Sequence, residues 1–167
     1  DSLFGDALLR DTRVLYNNKE LELDSIHVFS ELEGQERSIT VRSSLFDASL
    51  KGNYYNSTLF ADVNRFYQEF ILSVRNDKQA IADYYDTKRK SNQSYDAKIN
   101  MILHDIKPLS ELTGVDLHIS DGTVVDGRFA NGLTSIFEIF TSIDTLSYGG
   151  KILLRNEFEL TGSKIRD

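Results

Sequence analysis

Phe29-Ser30-Glu31-Leu32-Glu33-Gly34-Gln35-Glu36-Arg37-Ser38-Ile39-Thr40-Val41-Arg42-Ser43-Ser44-Leu45-Phe46-Asp47-Ala48-Ser49-Leu50 is the stretch on which the fold turns. Within it Phe29, Leu32, Glu36, Ile39, Ser43, Phe46 and Leu50 recur at alternating spacings of three and four, which places them on one face of a long helix. The apolar line breaks in its middle at Glu36 and Ser43, beside Gly34, Arg37 and Arg42. A carboxylate facing a core is costly unless it is paired or hydrogen-bonded. The helical reading therefore predicts a buried, paired Glu36 and makes this face either a polar core layer or a ligand site.

Working outward, proline and glycine set the organisation. Pro108 is the one proline, and the glycines cluster at a few points, a punctuation that favours long helices over many turns. The spacing predicts helices over about 2–16, with Phe4, Leu8 and Leu15 inward, and over about 19–50. Lys51-Gly52-Asn53-Tyr54-Tyr55-Asn56 turns the chain and Ser57 caps a third helix carrying Phe60, Val63, Tyr67, Phe70, Val74, Asp77, Ile81 and Tyr84. Lys88-Arg89-Lys90 suits the negative end of its dipole. A fourth helix buries Tyr95, Ile99, Ile102, Ile106 and Leu109, with Pro108 kinking its end. Val115, Leu117 and Ile119 alternate, but a lone strand is unstable, so 113–122 reads as a connection. A fifth helix over about 123–158 buries Phe129, Leu133, Ile136, Phe140 and Ile143 until Tyr148-Gly149-Gly150 interrupts it. The expected fold is all-α: a single domain over 1–167, an antiparallel bundle of four to five long helices, with helices two, three and five each exceeding about 25 residues.

Composition bounds the function. The chain has 167 residues, 40% of them apolar, and no run approaches the ~20 residues of a membrane-spanning helix. A net charge of −7 argues against nucleic acid as a partner. With no cysteine, disulfides and thiolate chemistry are excluded. The chain begins with Asp1 and carries no signal-peptide pattern, so it reads as a fragment whose membrane segments lie outside it. His27, His104 and His118 are far apart, and Asp24 with His27 is not matched by a second carboxylate–histidine pair, so no metal site is expected. Asn56-Ser57-Thr58 and Asn92-Gln93-Ser94 match glycosylation sequons at chance frequency. Neither a phosphate loop nor a histidine beside a serine nucleophile is recognisable, so neither an enzyme nor a cofactor is expected.

Glu33-Gly34-Gln35-Glu36-Arg37, with Leu45-Phe46 beyond it, resembles the Gly-Gln-Glu-Arg signature of the NIT family of nitrate- and nitrite-sensing domains. Tyr95-Asp96-Ala97-Lys98-Ile99-Asn100-Met101-Ile102-Leu103 is similar to the helix before that family's second signature. Gly149-Gly150-Lys151-Ile152-Leu153-Leu154-Arg155-Asn156-Glu157-Phe158 resembles a degraded copy of the signature itself. CHASE3 four-helix sensor domains carry a similar first motif. The resemblance implies an all-helical sensor with an anion held near the motifs by Arg37, with Glu36 and Arg42 beside it and Arg155 on the second copy. In that second copy Lys151-Ile152 stands where the family has Glu-Arg.

The expected function is a ligand-sensing domain of a transmembrane receptor, outside the cytoplasm and joined to the membrane through flanking segments. A small anion or other small molecule would bind between helices and shift one of them, in a homodimeric receptor. The alternative is a docking module for a protein, such as a solute-binding protein, with an exposed apolar patch in place of a pocket. A third reading is a self-contained interaction protein. Ends near Asp1 and Asp167 at one pole would suit insertion between two membrane helices.

Overall fold

The computed structural model describes residues 4–55, 95–131 and 134–165, together with scattered positions between Ala61 and Tyr84. It forms one antiparallel sheet of nine strands: β1 (Gly5–Tyr16), β2 (Lys19–Glu33), β3 (Glu36–Ser43), β4 (Phe46–Asn53), β5 (Tyr95–Leu103), β6 (Leu117–Ile119), β7 (Val124–Asn131), β8 (Thr134–Tyr148) and β9 (Lys151–Ile165). The spatial order is β1-β2-β3-β4-β5-β7-β8. β9 pairs along the whole of β8 on its far side, leaving β6 to share the near side with β7. The one helix with defined bounds is α1 (Lys107–Thr113), which lies against β2 and β6.

The expected all-α bundle is overturned. The 3-4 stripe from Phe29 to Leu50 crosses two turns and belongs to β2, β3 and β4. Hairpin chemistry accounts for the breaks. Asn17 and Asn18 sit at φ 48° and 61°, Gly34 at 64°, and Gly149 and Gly150 at 55° and 76°. Positive φ in two-residue loops is what matches a turn to the right-handed twist of its strands, and Asn and Gly bear it cheaply. At the β3–β4 corner Ser43 Oγ accepts from the amides of Leu45 (3.3 Å) and Phe46 (3.2 Å) and donates to the carbonyl of Phe46 (3.0 Å). Such a chain turns without proline, so the scarcity of proline carried no helical signal.

The other helices fall in the same way. β1 replaces the first, and its supposed inward residues Phe4, Leu8 and Leu15 are exposed. β5 and α1 replace the fourth, and Pro108 stands in the first turn of α1 rather than kinking an end. Leu117–Ile119 is a strand after all, because β8 supplies its partner. β7, β8 and β9 replace the fifth, with Gly149-Gly150 as a hairpin turn. The described positions between Ala61 and Tyr84 are helical. The remainder of the third helix, and the termini at Asp1 and Asp167, lie outside the described residues. The chain is not a NIT or CHASE3 helical domain: the supposed signature Gly34-Gln35-Glu36-Arg37 is a hairpin loop and the strand that leaves it.

Partners across an antiparallel ladder share a face, and neighbours along a strand alternate. The register therefore gives the sheet one apolar and one polar face. One apolar row runs Ser30, Ile39, Leu50, Ile99, Gly127, Ile139, Leu160. The next runs Val28, Val41, Ala48, Met101, Val125, Thr141, Phe158. On the opposite face one row runs Ser38, Lys51, Lys98, Arg128, Glu138, Thr161. Two buried clusters hold the apolar face. Tyr54, Tyr95, Ala97 and Phe129 form one, with Ile39, Leu50, Ile99 and Phe137 against it. The other joins Leu21, Leu23, Leu45 and Leu112, with Ile26, Phe46 and Leu109 around them, and is closed by α1.

Candidate functional site

Between the two clusters lies the row from Val28 to Phe158, whose residues belong to neither. Val28, Val41, Ala48, Met101, Val125 and Thr141 are each half-buried, and Phe158 on the edge strand is 43% exposed. The row crosses strands β2, β3, β4, β5, β7, β8 and β9, six intervals of ~4.8 Å, so the strip is ~29 Å long. That length matches the ~30 Å hydrocarbon core of a bilayer, or two acyl chains end to end. On the Tyr54 side, beyond the row of Ile39, Leu50 and Ile99, Phe129 meets Phe137 edge to face at 5.1 Å and 66°. Arg37 is a charged residue on the apolar face. It is half-buried, opposite Leu32 and Gly52, four positions along β3 from Val41 and two rows to the Tyr54 side of the strip. Burial pushes the Tyr54 hydroxyl above its ordinary value, and the nearby Arg37 charge partly opposes that.

A basin of ≈ 940 Å³ lies on the polar face, lined among others by Glu36, Lys51, Asp96, Lys98, Arg128 and Glu138. Asp96 and Arg128 form an ion pair inside it. Arg128 donates from Nη2 to Asp96 Oδ2 at 2.6 Å and from Nε to Oδ1 at 3.1 Å, a fork on one carboxylate. Asn100 donates to Asp126 at 2.8 Å. Lys51, Lys98 and Arg128 are cross-strand neighbours there, with Asp96, Asp126 and Glu138 around them; on an open surface such a set has the character of a solvated face, and we place the candidate site on the opposite one.

The Arg128 fork holds the Asp96 carboxyl below its ordinary value against partial burial, with Lys98 adding to the effect. A carboxyl whose pKa is depressed by folding contributes stability above its unfolded pKa and loses it as pH falls through the folded value. Both partners are partly exposed, so the contribution is small. Asp96→Asn should thus melt below wild type at neutral pH, and the two melting curves should converge as pH falls below ~3.9. A gap independent of pH would contradict the pairing.

The residues singled out by sequence are not brought together. Glu36 is exposed, opposite Glu33 in the β2–β3 hairpin, and not buried. Arg37 and Arg42 stand five positions apart on β3, hence on opposite faces, and Arg42 is exposed opposite His27 and Asp47. Arg155, at φ 55°, interrupts the ladder on edge strand β9 between Asn156 and Leu154. His27 pairs with Asp6 at 2.6 Å across β1–β2 rather than with Asp24. Helical spacing missed the strip, although Val28, Val41, Ala48 and Met101 each sit in a period-two alternation that marks it. No protein-family profile, curated protein or solved structure matches this chain.

Proposed function

We propose that this chain binds elongated apolar ligands, the acyl chains of lipids, along the strip from Val28 to Phe158. It would do so as a β-sheet section of a membrane-associated protein outside the cytoplasm. The observation that carries the reading is a half-exposed aliphatic row bracketed by two buried clusters. A surface with few polar groups selects for area and shape rather than for hydrogen bonds, which suits a hydrocarbon chain. At ~25 cal/mol per Å², the apolar area that a seated chain removes from water supplies the driving force, against association costs of several kcal/mol.

Arg37 keeps a ligand role in this proposal, as the cation that meets an anionic headgroup beside the strip, four positions along β3 from Val41. The sensing role expected from the sequence enters in altered form: the ligand is apolar and lies on a sheet rather than between helices. Saturable binding of a fluorescent fatty acid tests the reading. Arg37→Ala should weaken the fatty acid several-fold and leave the matching fatty alcohol unchanged. Failure of the wild-type chain to take up either probe would contradict the proposal.

A further inference from the structure

The two edges of the described sheet, β1 and β9, run 12 and 15 residues and contain no proline. Both carry exposed apolar residues: Leu9 51%, Val14 38% and Leu15 74% on β1, Ile152 66%, Leu153 51% and Phe158 43% on β9. We propose that β9 of one copy pairs with β1 of the next, so that copies of this chain extend the sheet head to tail.

Topology sets the direction. The path β1-β2-β3-β4-β5-β7-β8-β9 has eight strands, each antiparallel to its neighbour, so β1 and β9 run in opposite senses. A second copy that keeps its apolar face on the same side therefore presents β1 antiparallel to β9. One register satisfies both faces. It sets Leu9 against Phe158 on the apolar face, Arg10 against Glu157 on the polar face, Val14 against Leu153 and Leu15 against Ile152. The face assignments follow from the pairs Leu9–Ile26, Arg10–Ser25, Phe158–Thr141 and Glu157–Ser142 within one copy. Arg10 and Glu157 have no ion pair among the described residues, so the contact joins two unpaired opposite charges. Asp11 and Arg155, the positive-φ residues that interrupt the two edge ladders, then fall one position from alignment. Pairing β9 with itself brings Glu157 and Glu159 toward their own copies, a like-charge contact that disfavours it. The β9-to-β1 contact is heterologous and does not close, so it builds open rows.

Sedimentation of the 167-residue chain should show species that grow with concentration. Arg10→Glu and Glu157→Arg should each weaken association about tenfold or more, and the double exchange should restore it. The chain has no cysteine, so introduced pairs report register directly. Cα atoms across an antiparallel pair lie ~4.5–5.5 Å apart, within disulfide reach. Leu9→Cys with Phe158→Cys should oxidise to a covalent ladder of dimer, trimer and higher species. Leu9→Cys with Glu159→Cys, one position out and on the other face, should remain monomeric. A wild-type chain monomeric at every concentration overturns the proposal, as does equal cross-linking by both cysteine pairs. Association untouched by either charge reversal also overturns it and assigns contact to the faces.

Discussion

Gly52→Ala should lower the thermal midpoint by about 10 °C, the effect of ~3 kcal/mol in a domain of this size. Gly52 sits in β4 at φ +149°, where L side chains are strained, and its register partners are Arg37 and Ala97. A Cβ there would lie 2.0 Å from the backbone oxygen of Asp96 and 2.8 Å from the Cα of Ala97. Neither is the movable end of a side chain, so β4 and β5 must part at the point where fully buried Ala97 joins the Tyr54 cluster. Gly34→Ala is the control: its φ of +64° is left-handed but nothing lies within 4 Å, so the cost is the conformational ~1–2 kcal/mol alone. Equal midpoints for Gly52→Ala and wild type would show that β4 and β5 are not paired in this register.

The second large effect is on binding. Val41→Glu should weaken acyl-chain binding at least tenfold, about 1.4 kcal/mol, because a ligand seated on the strip would strip water from the new carboxylate. Thr40→Glu, one residue away and on the polar face opposite Ser49, should leave binding within twofold of wild type. Both variants add the same charge to the same strand, so a difference between them reports the face and not the charge. Equal losses would place the ligand elsewhere.

Why the sequence misled is visible in particular residues. Phe29, Leu32, Ile39, Phe46 and Leu50 satisfy a helical stripe only if the chain is unbroken, and it turns at Gly34-Gln35 and again at Ser44-Leu45. Read in twos, Ile26, Val28 and Leu32 alternate with His27, Phe29 and Glu31, and Ile39 and Val41 with Ser38, Thr40 and Arg42. Phe29 faces the polar side and blurred the pattern. Asn17-Asn18 and Gly149-Gly150 are two-residue hairpin signals that were legible in advance, and they outweigh the lack of proline. The phase shift on β2 was not legible. Leu21, Leu23 and Ile26 share one cluster although their spacing is two and then three, beside the left-handed Asp11 on β1. Arg37 was singled out through a helical motif that the fold does not contain. It stands on the apolar face because of strand parity, while Arg42 and Glu36 face the other way.

Photolabelling with a diazirine fatty acid, followed by mapping of the modified residues, locates the bound acyl chain on one face of the sheet or the other. Adjacent residues of one strand face opposite sides, so the label distinguishes the faces at single-residue resolution. Adducts are expected on Val28, Val41, Met101 and Val125, competed away by unlabelled fatty acid. Adducts on Thr40, Asn100 and Asp126, or labelling spread evenly over both sets, would contradict binding on the apolar face.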